Sequence, residues 1–119
     1  MKSIKQGEFN QALDSWGTVA DLGSTILQGE VKAFGHLHHG TPQSPISAGY
    51  FACTQGKFEM TYPFTEHATV VEGECVLTDP RTGESTRYGV GDSWFVEKGT
   101  AVIWDILTPR FAKHYMAAA

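Results

Sequence analysis

The run Lys57-Phe58-Glu59-Met60-Thr61-Tyr62-Pro63-Phe64-Thr65-Glu66 decides how this chain reads. Phe58, Met60 and Tyr62 alternate with Lys57, Glu59 and Thr61. Alternate residues of a strand share a face, so a strand with one apolar side is expected here. Continued through the turn, the same count sets Phe64 and Glu66 with the apolar residues, unless the bend at Pro63 resets the phase. A carboxylate on an apolar face needs a partner, a metal or a proton. Glu66 is therefore the first candidate for chemistry.

Outward from that run, short apolar stretches recur between turn signals. Thr69-Val70-Val71, Cys75-Val76-Leu77, Trp94-Phe95-Val96 and Ala101 to Leu107 read as strands. In the last of these, Val102, Trp104 and Ile106 form one face, and Ala101, Ile103 and Asp105 the other. The punctuation is Gln55-Gly56, Glu72-Gly73, Asp79-Pro80-Arg81-Thr82-Gly83, Gly89-Val90-Gly91-Asp92, Lys98-Gly99 and Thr108-Pro109. Gly accepts positive φ and Pro removes a ladder donor, so these positions end strands rather than continue them. Turn spacings of roughly 8–12 residues suit a β-sandwich or barrel. Towards the beginning, Phe9, Ala12, Leu13 and Trp16 fall at helical spacing, which predicts a short helix or turn. A strand is expected at about 30–38, and the stretch 40–48, with two prolines and small polar residues, reads as a loop.

The chain has 119 residues and a mass of 13.0 kDa, enough for one domain with a real core. Hydrophobic residues make up 41% of it, which argues against disorder. Nine basic against 13 acidic residues give a net charge of −4, and neither half hides a basic face. No nucleic-acid partner is expected, because backbone binding rests on clustered Lys and Arg. The longest apolar runs hold four or five residues, far short of the about 20 a membrane-spanning helix needs. The polar start Met-Lys-Ser-Ile-Lys-Gln leads into no apolar segment, so neither membrane nor export is expected and the reading is cytoplasmic. Cys53 and Cys75 form no CxxC pattern and read as two buried thiols, with one disulfide between them as the alternative. There is no Walker loop, dinucleotide fingerprint or serine elbow.

Two segments then carry a resemblance. Glu66-His-Ala-Thr-Val-Val-Glu-Gly-Glu74 and Gly91-Asp-Ser-Trp-Phe-Val-Glu-Lys-Gly99 resemble the two motifs of a cupin. The lead-in Gly-Tyr-Phe-Ala-Cys-Thr-Gln-Gly at 49–56, Leu-Thr-Asp and Thr-Gly-Glu within 77–84, Trp-Asp-Ile at 104–106 and Lys-His-Tyr at 113–115 resemble the small ureidoglycine-aminohydrolase-type cupins. The resemblance implies an all-β double-stranded β-helix, or jelly-roll barrel, over 48–119, with a short N-terminal extension at 1–47 packed on the barrel or on a partner subunit. In metal-binding cupins the first motif supplies two histidines and a glutamate, and the second motif one more histidine. Glu66 matches the glutamate, while Met60 and Tyr62 stand at the first two histidine positions and Val102 at the other. A first-row metal needs three or four N, O or S ligands. No cofactor is therefore expected, which leaves room only for a weakly held divalent metal.

The expected site is a pocket in the barrel, lined by Phe58, Met60, Val102 and Trp104 as ligand-binding residues. Glu66 is its acid or base and Tyr62 the orienting group. The expected function is small-molecule binding. The alternative is an enzyme acting on a small ureide, amide or carbohydrate-derived substrate, as the resemblance implies. His36 and His38 share a strand face at a metal-ligand spacing, but they lie about 30 residues before Glu66 and read as a polar outer face or one feeding a dimer contact, with metal ligation as the alternative. His67 should face away from Glu66, and His114 away from Lys113 and Tyr115. Lys113 reads as a surface lysine, with a charge for an acidic ligand as the alternative. Asp92 reads as a turn residue. A homodimer is expected, since pairing covers the edge strands of such a barrel.

Overall fold

A computed structural model describes residues 1–5 and 13–119. The described residues form nine strands and no helix: β1 (Asp14–Thr18), β2 (Thr25–Gln28), β3 (Lys32–His39), β4 (Ile46–Thr61), β5 (Thr65–Glu72), β6 (Cys75–Thr78), β7 (Ser85–Tyr88), β8 (Ser93–Val96) and β9 (Ala101–Ala118). All pairings are antiparallel, in the order β1-β3-β4-β9-β5-β8, with β2 added to β4 and the β6–β7 hairpin to β9. The all-β architecture expected from the turn spacing is the architecture found.

The long strands β4 and β9 are its spine. Ile46 to Thr54 pair with Ala118 to Arg110, and Gly56 to Thr61 pair with Ile106 to Ala101. Between these halves the register slips, with Gln55 on one side facing Leu107, Thr108 and Pro109 on the other. A bulge changes which alternate residues face inward. Before it, β4 turns Phe51 and Cys53 inward; after it, Phe58 and Met60. On β9 the inward set changes from Val102, Trp104 and Ile106 to Phe111, Lys113, Tyr115 and Ala117. One strand thus sends both an apolar face and a lysine into the same interior.

That interior holds the main core, with Phe58, Tyr62, Trp104, Ile106 and Phe111 among its most buried side chains. Cys53 and Cys75 are buried free thiols, as read, and burial pushes both up to about 12. A second cluster, Tyr50, Ala52, Val71 and Ala112, lies on the other face of the sheet with Leu13 and Phe34 packed on it.

Two local expectations need correction. Trp16 belongs to strand β1, paired with β3, and not to a helix; Phe9 and Ala12, which shared its helical spacing, lie outside the described residues. The loop read at 40–48 closes earlier, because β4 begins at Ile46 and pairs at once with Ala118. Its turn is tied by Ser44, whose hydroxyl accepts from the Thr41 amide at 2.9 Å. Prolines 42 and 45 both precede the strand, so they end the loop without costing β4 a ladder bond. The strand read at 30–38 is β3, one or two residues later.

Candidate functional site

The bend at Pro63 keeps the phase. Phe58, Met60, Tyr62, Phe64 and Glu66 all line a single cavity of about 580 Å³. β9 adds Trp104, Lys113 and Tyr115, and the inner part of β4 adds Phe51. Trp16, Val19 and Leu22 cover it from the N-terminal side. Trp16 comes this close because residue 35 is glycine: a Cβ there would stand 2.1 Å from the indole. Tyr62 is fixed beyond the end of β4 by two backbone bonds, its amide to the Thr100 carbonyl at 2.9 Å and its carbonyl from the Gly99 amide at 2.8 Å. Four of the expected lining residues, Phe58, Met60, Tyr62 and Trp104, meet Glu66 at this cavity. Val102 is buried in the core, opposite Met60 in register, and is not among the lining residues.

Glu66 is 1% exposed. Its Oε1 accepts from the Lys113 ammonium at 2.6 Å. Its Oε2 accepts from the Tyr62 hydroxyl at 2.7 Å and from Trp94 Nε1 at 3.1 Å. Burying a lone carboxylate would cost several kcal/mol, and an ammonium with two further donors is what offsets that cost. Burial, and then the charge of Glu66, hold the Tyr62 phenol well above its usual range, so it keeps its proton and donates. The same two causes push Tyr115 up to about 12.

Lys113 is the residue misread as a surface lysine. Its ammonium is buried and lies 4.9 Å from the Trp104 ring centroid, 5.3 Å from Trp94, 5.4 Å from Tyr115, 5.5 Å from Phe51 and 5.8 Å from Tyr62. All five rings are within cation–π range, about 6 Å. The signal was present in the sequence: Lys113 shares its parity on β9 with Phe111 and Tyr115, both inward. Trp94 was missed as a site residue because it acts across strands. It lies two residues before Val96, which is the register partner of Glu66. Beside the ion pair, Trp104 stacks on Phe58 at 5.3 Å, and its buried Nε1–H finds no acceptor among the described residues.

This donor set does not fit the metal that the fold family implies. The one matching carboxylate already carries a cation at 2.6 Å, and a thioether, a hydrogen-bonded phenol and an isopropyl group stand at the histidine positions. Among the described residues no three His, Cys, Asp or Glu side chains gather as a metal would require. The histidines stand elsewhere. His36 and His114 are the two register partners of Tyr50 on the outer face of the sheet. The His38 ring packs edge-on against His36 at 5.1 Å and Tyr50 at 4.8 Å. Lys2 donates to the His38 carbonyl. Burial first, then the neighbouring His36, Lys2 and His114, lower the His38 imidazole below its usual range. Burial and His67 do the same for His114. His67 is exposed and opposite in sense to Glu66, as alternation required. Asp92 accepts from the Gly89 amide at 2.8 Å, a turn contact as read.

With the geometry described, the chain can be set beside known proteins. A family model for the EutQ-like cupin domain matches residues 40–115. No curated protein matches. Among solved structures, the EutQ protein of Clostridium difficile superposes with a TM-score of 0.62 at 16% identity, covering 74% of this chain and 68% of that one. A Salmonella typhimurium LT2 protein bearing the name ethanolamine utilization protein q gives 0.58 at 26% identity, covering 76% and 70%. A Pseudomonas syringae pv. tomato protein with unknown function gives 0.76 at 18% identity and covers 90% of this chain, which spans 44% of that protein. Among the described residues no helix is long and apolar enough to cross a membrane.

Proposed function

The chain belongs to the EutQ-like cupin family, and from that premise we propose that it binds a small, largely apolar and uncharged molecule inside its barrel. The observation that carries this reading is a neutral Glu66–Lys113 pair set into the wall of an aromatic cavity of about 580 Å³. Pockets for small ligands have this composition, mostly apolar with a few convergent polar groups. The pair sums to no charge, so a charged ligand would find no free counter-ion in it. The test is a thermal-shift screen of small neutral metabolites on the wild type and on Glu66→Gln. A ligand that binds the folded state raises Tm. The expected hit stabilises the wild type more than the variant; equal shifts remove Glu66 from recognition.

A second reading has one observation in its favour, the 2.7 Å bond from Tyr62 to Glu66. In it Glu66 and Tyr62 move a proton on a small amide, ureide or carbohydrate-derived substrate, in the manner of the ureidoglycine-aminohydrolase-type cupins. Ammonia release from a panel of ureides and amides, lost in Glu66→Gln, would establish it. The first reading is preferred because both oxygens of Glu66 already accept from this chain's own donors, which leaves neither facing a substrate's proton directly. We further propose that two chains pair through the outer face of β8, β5 and β9, where Phe95 is 67% exposed and Met116 54%. Both are register partners of His67, so they lie in one row.

A further inference from the structure

Among the described residues, the Lys113 ammonium hydrogen-bonds to one group only, Glu66. An ammonium has three N–H donors, so two remain for ring faces and for the cavity that Lys113 lines. A lysine whose proton can pass to a buried carboxylate in an apolar pocket is an amine nucleophile. The geometry points to a use for it: we infer that the cavity takes an aldehyde or ketone, and that Lys113 holds it as a Schiff base. This inference rests on the small-molecule reading above and names the ligand class for the same cavity.

The step balances within the pair. Glu66 Oε1 takes a proton from Lys113 Nζ across their 2.6 Å contact. The nitrogen lone pair forms the Nζ–C bond while the C=O π pair moves to oxygen, which receives a proton from the attacking nitrogen; the second proton, which makes the leaving group water, comes from Glu66. Loss of that oxygen as water, with Glu66 returned to carboxylate, leaves a protonated imine. Aldehyde and ammonium enter; iminium and water leave; one positive charge is present before and after, and no oxidant or reductant is used. The iminium stands where the ammonium stood, so Glu66 and the rings of Trp104, Trp94, Tyr115, Phe51 and Tyr62 stabilise it in the same way. A carboxylate ligand would meet Glu66 instead, and an amine ligand would compete with the lysine already caged, so a neutral carbonyl compound is the class that fits.

The experiment uses the full chain with benzaldehyde, and benzyl alcohol as a probe of similar shape that cannot condense. Binding is followed by thermal shift, and imines are fixed with sodium borohydride and mapped by peptide mass. The expected result is one benzyl group per chain on Lys113, at least about tenfold above its occupancy on Lys2, Lys5, Lys32, Lys57 or Lys98. Lys113→Arg should lose the adduct; if that variant does not fold, the wild-type map decides alone. Stabilisation by both compounds with no preference for Lys113 overturns the Schiff base and leaves the binding reading standing. Neither stabilisation nor an adduct overturns the inference and counts against the reading beneath it.

Discussion

Glu66 accepts hydrogen bonds from three side chains that are far apart in sequence or across a bend: Lys113, Tyr62 and Trp94. Removing one ion of a buried pair leaves the other unpaired, which typically costs about 3–5 kcal/mol, whereas replacing both with neutral groups of similar size is often close to neutral. Lys113→Met should therefore destabilise by about that amount in urea unfolding. The double variant Glu66→Gln/Lys113→Met should recover most of the loss, because Gln keeps an acceptor for Tyr62 and Trp94. Simple additivity of the two single variants would contradict the pairing. At this scale Glu66 was legible from the sequence, while for Lys113 the sequence carried its parity with Phe111 and Tyr115 but not its pairing with Glu66. Alternation over Phe58 to Glu66 predicts a buried acid, but nothing local says which cation answers it. The partner lies 47 residues away, and Lys is so seldom buried that composition alone favours the surface.

The strands explain what alternation could and could not predict. From Phe58 to Glu66 the alternate residues Phe58, Met60, Tyr62, Phe64 and Glu66 all line the cavity, so the reading carried through Pro63 intact. The slip between Thr54 and Gly56 is different: it reverses the inward set of both spine strands. A single sequence marks it only as the Gly56 and Thr108-Pro109 breaks, which also read as turns. Trp16 was misassigned for a related reason, since four apolar residues at helical spacing do not reveal a strand that pairs with β3. The outer face of β3, β4 and β9 carries a prediction of its own. His38 and His114 both sit below their ordinary 6.5. Each is neutral in the folded and unfolded chain above 6.5, so its stability contribution is complete there. As pH falls below 6.5 the unfolded chain binds protons first, and stability falls until the lowered folded values are passed. The groups facing these rings are His36, Lys2 and His67, and no carboxylate is among the causes of either shift. Tm should drop as pH falls below about 6.5, and His114→Gln should shrink the drop. An unchanged slope in that variant would remove His114 from the effect. Asp79, held low by Arg81, acts only below its ordinary 3.8 and lies outside this window.

For the whole molecule, the barrel class was legible from turn spacing and the two motif-like segments, because both depend on local chemistry. The cover of the cavity was not legible, since Trp16, Val19 and Leu22 reach it from strand β1 and the turn that follows. The proposed pairing through Phe95 and Met116 predicts a sedimentation mass of twice the chain's 13.0 kDa at micromolar concentration. Phe95→Glu should return it to a single chain, and a wild-type mass of one chain would contradict the interface. The identity of the cation beside Glu66 underlies every functional statement made about the cavity. It is tested most directly by a crystal structure at a resolution that shows hydrogen-bond geometry, collected with an anomalous scan for bound metals. The expected density is a lysine stem from β9 ending 2.6 Å from Glu66 Oε1 within its ring of aromatic side chains. An anomalous peak on Glu66, with Lys113 turned out to solvent, would contradict it.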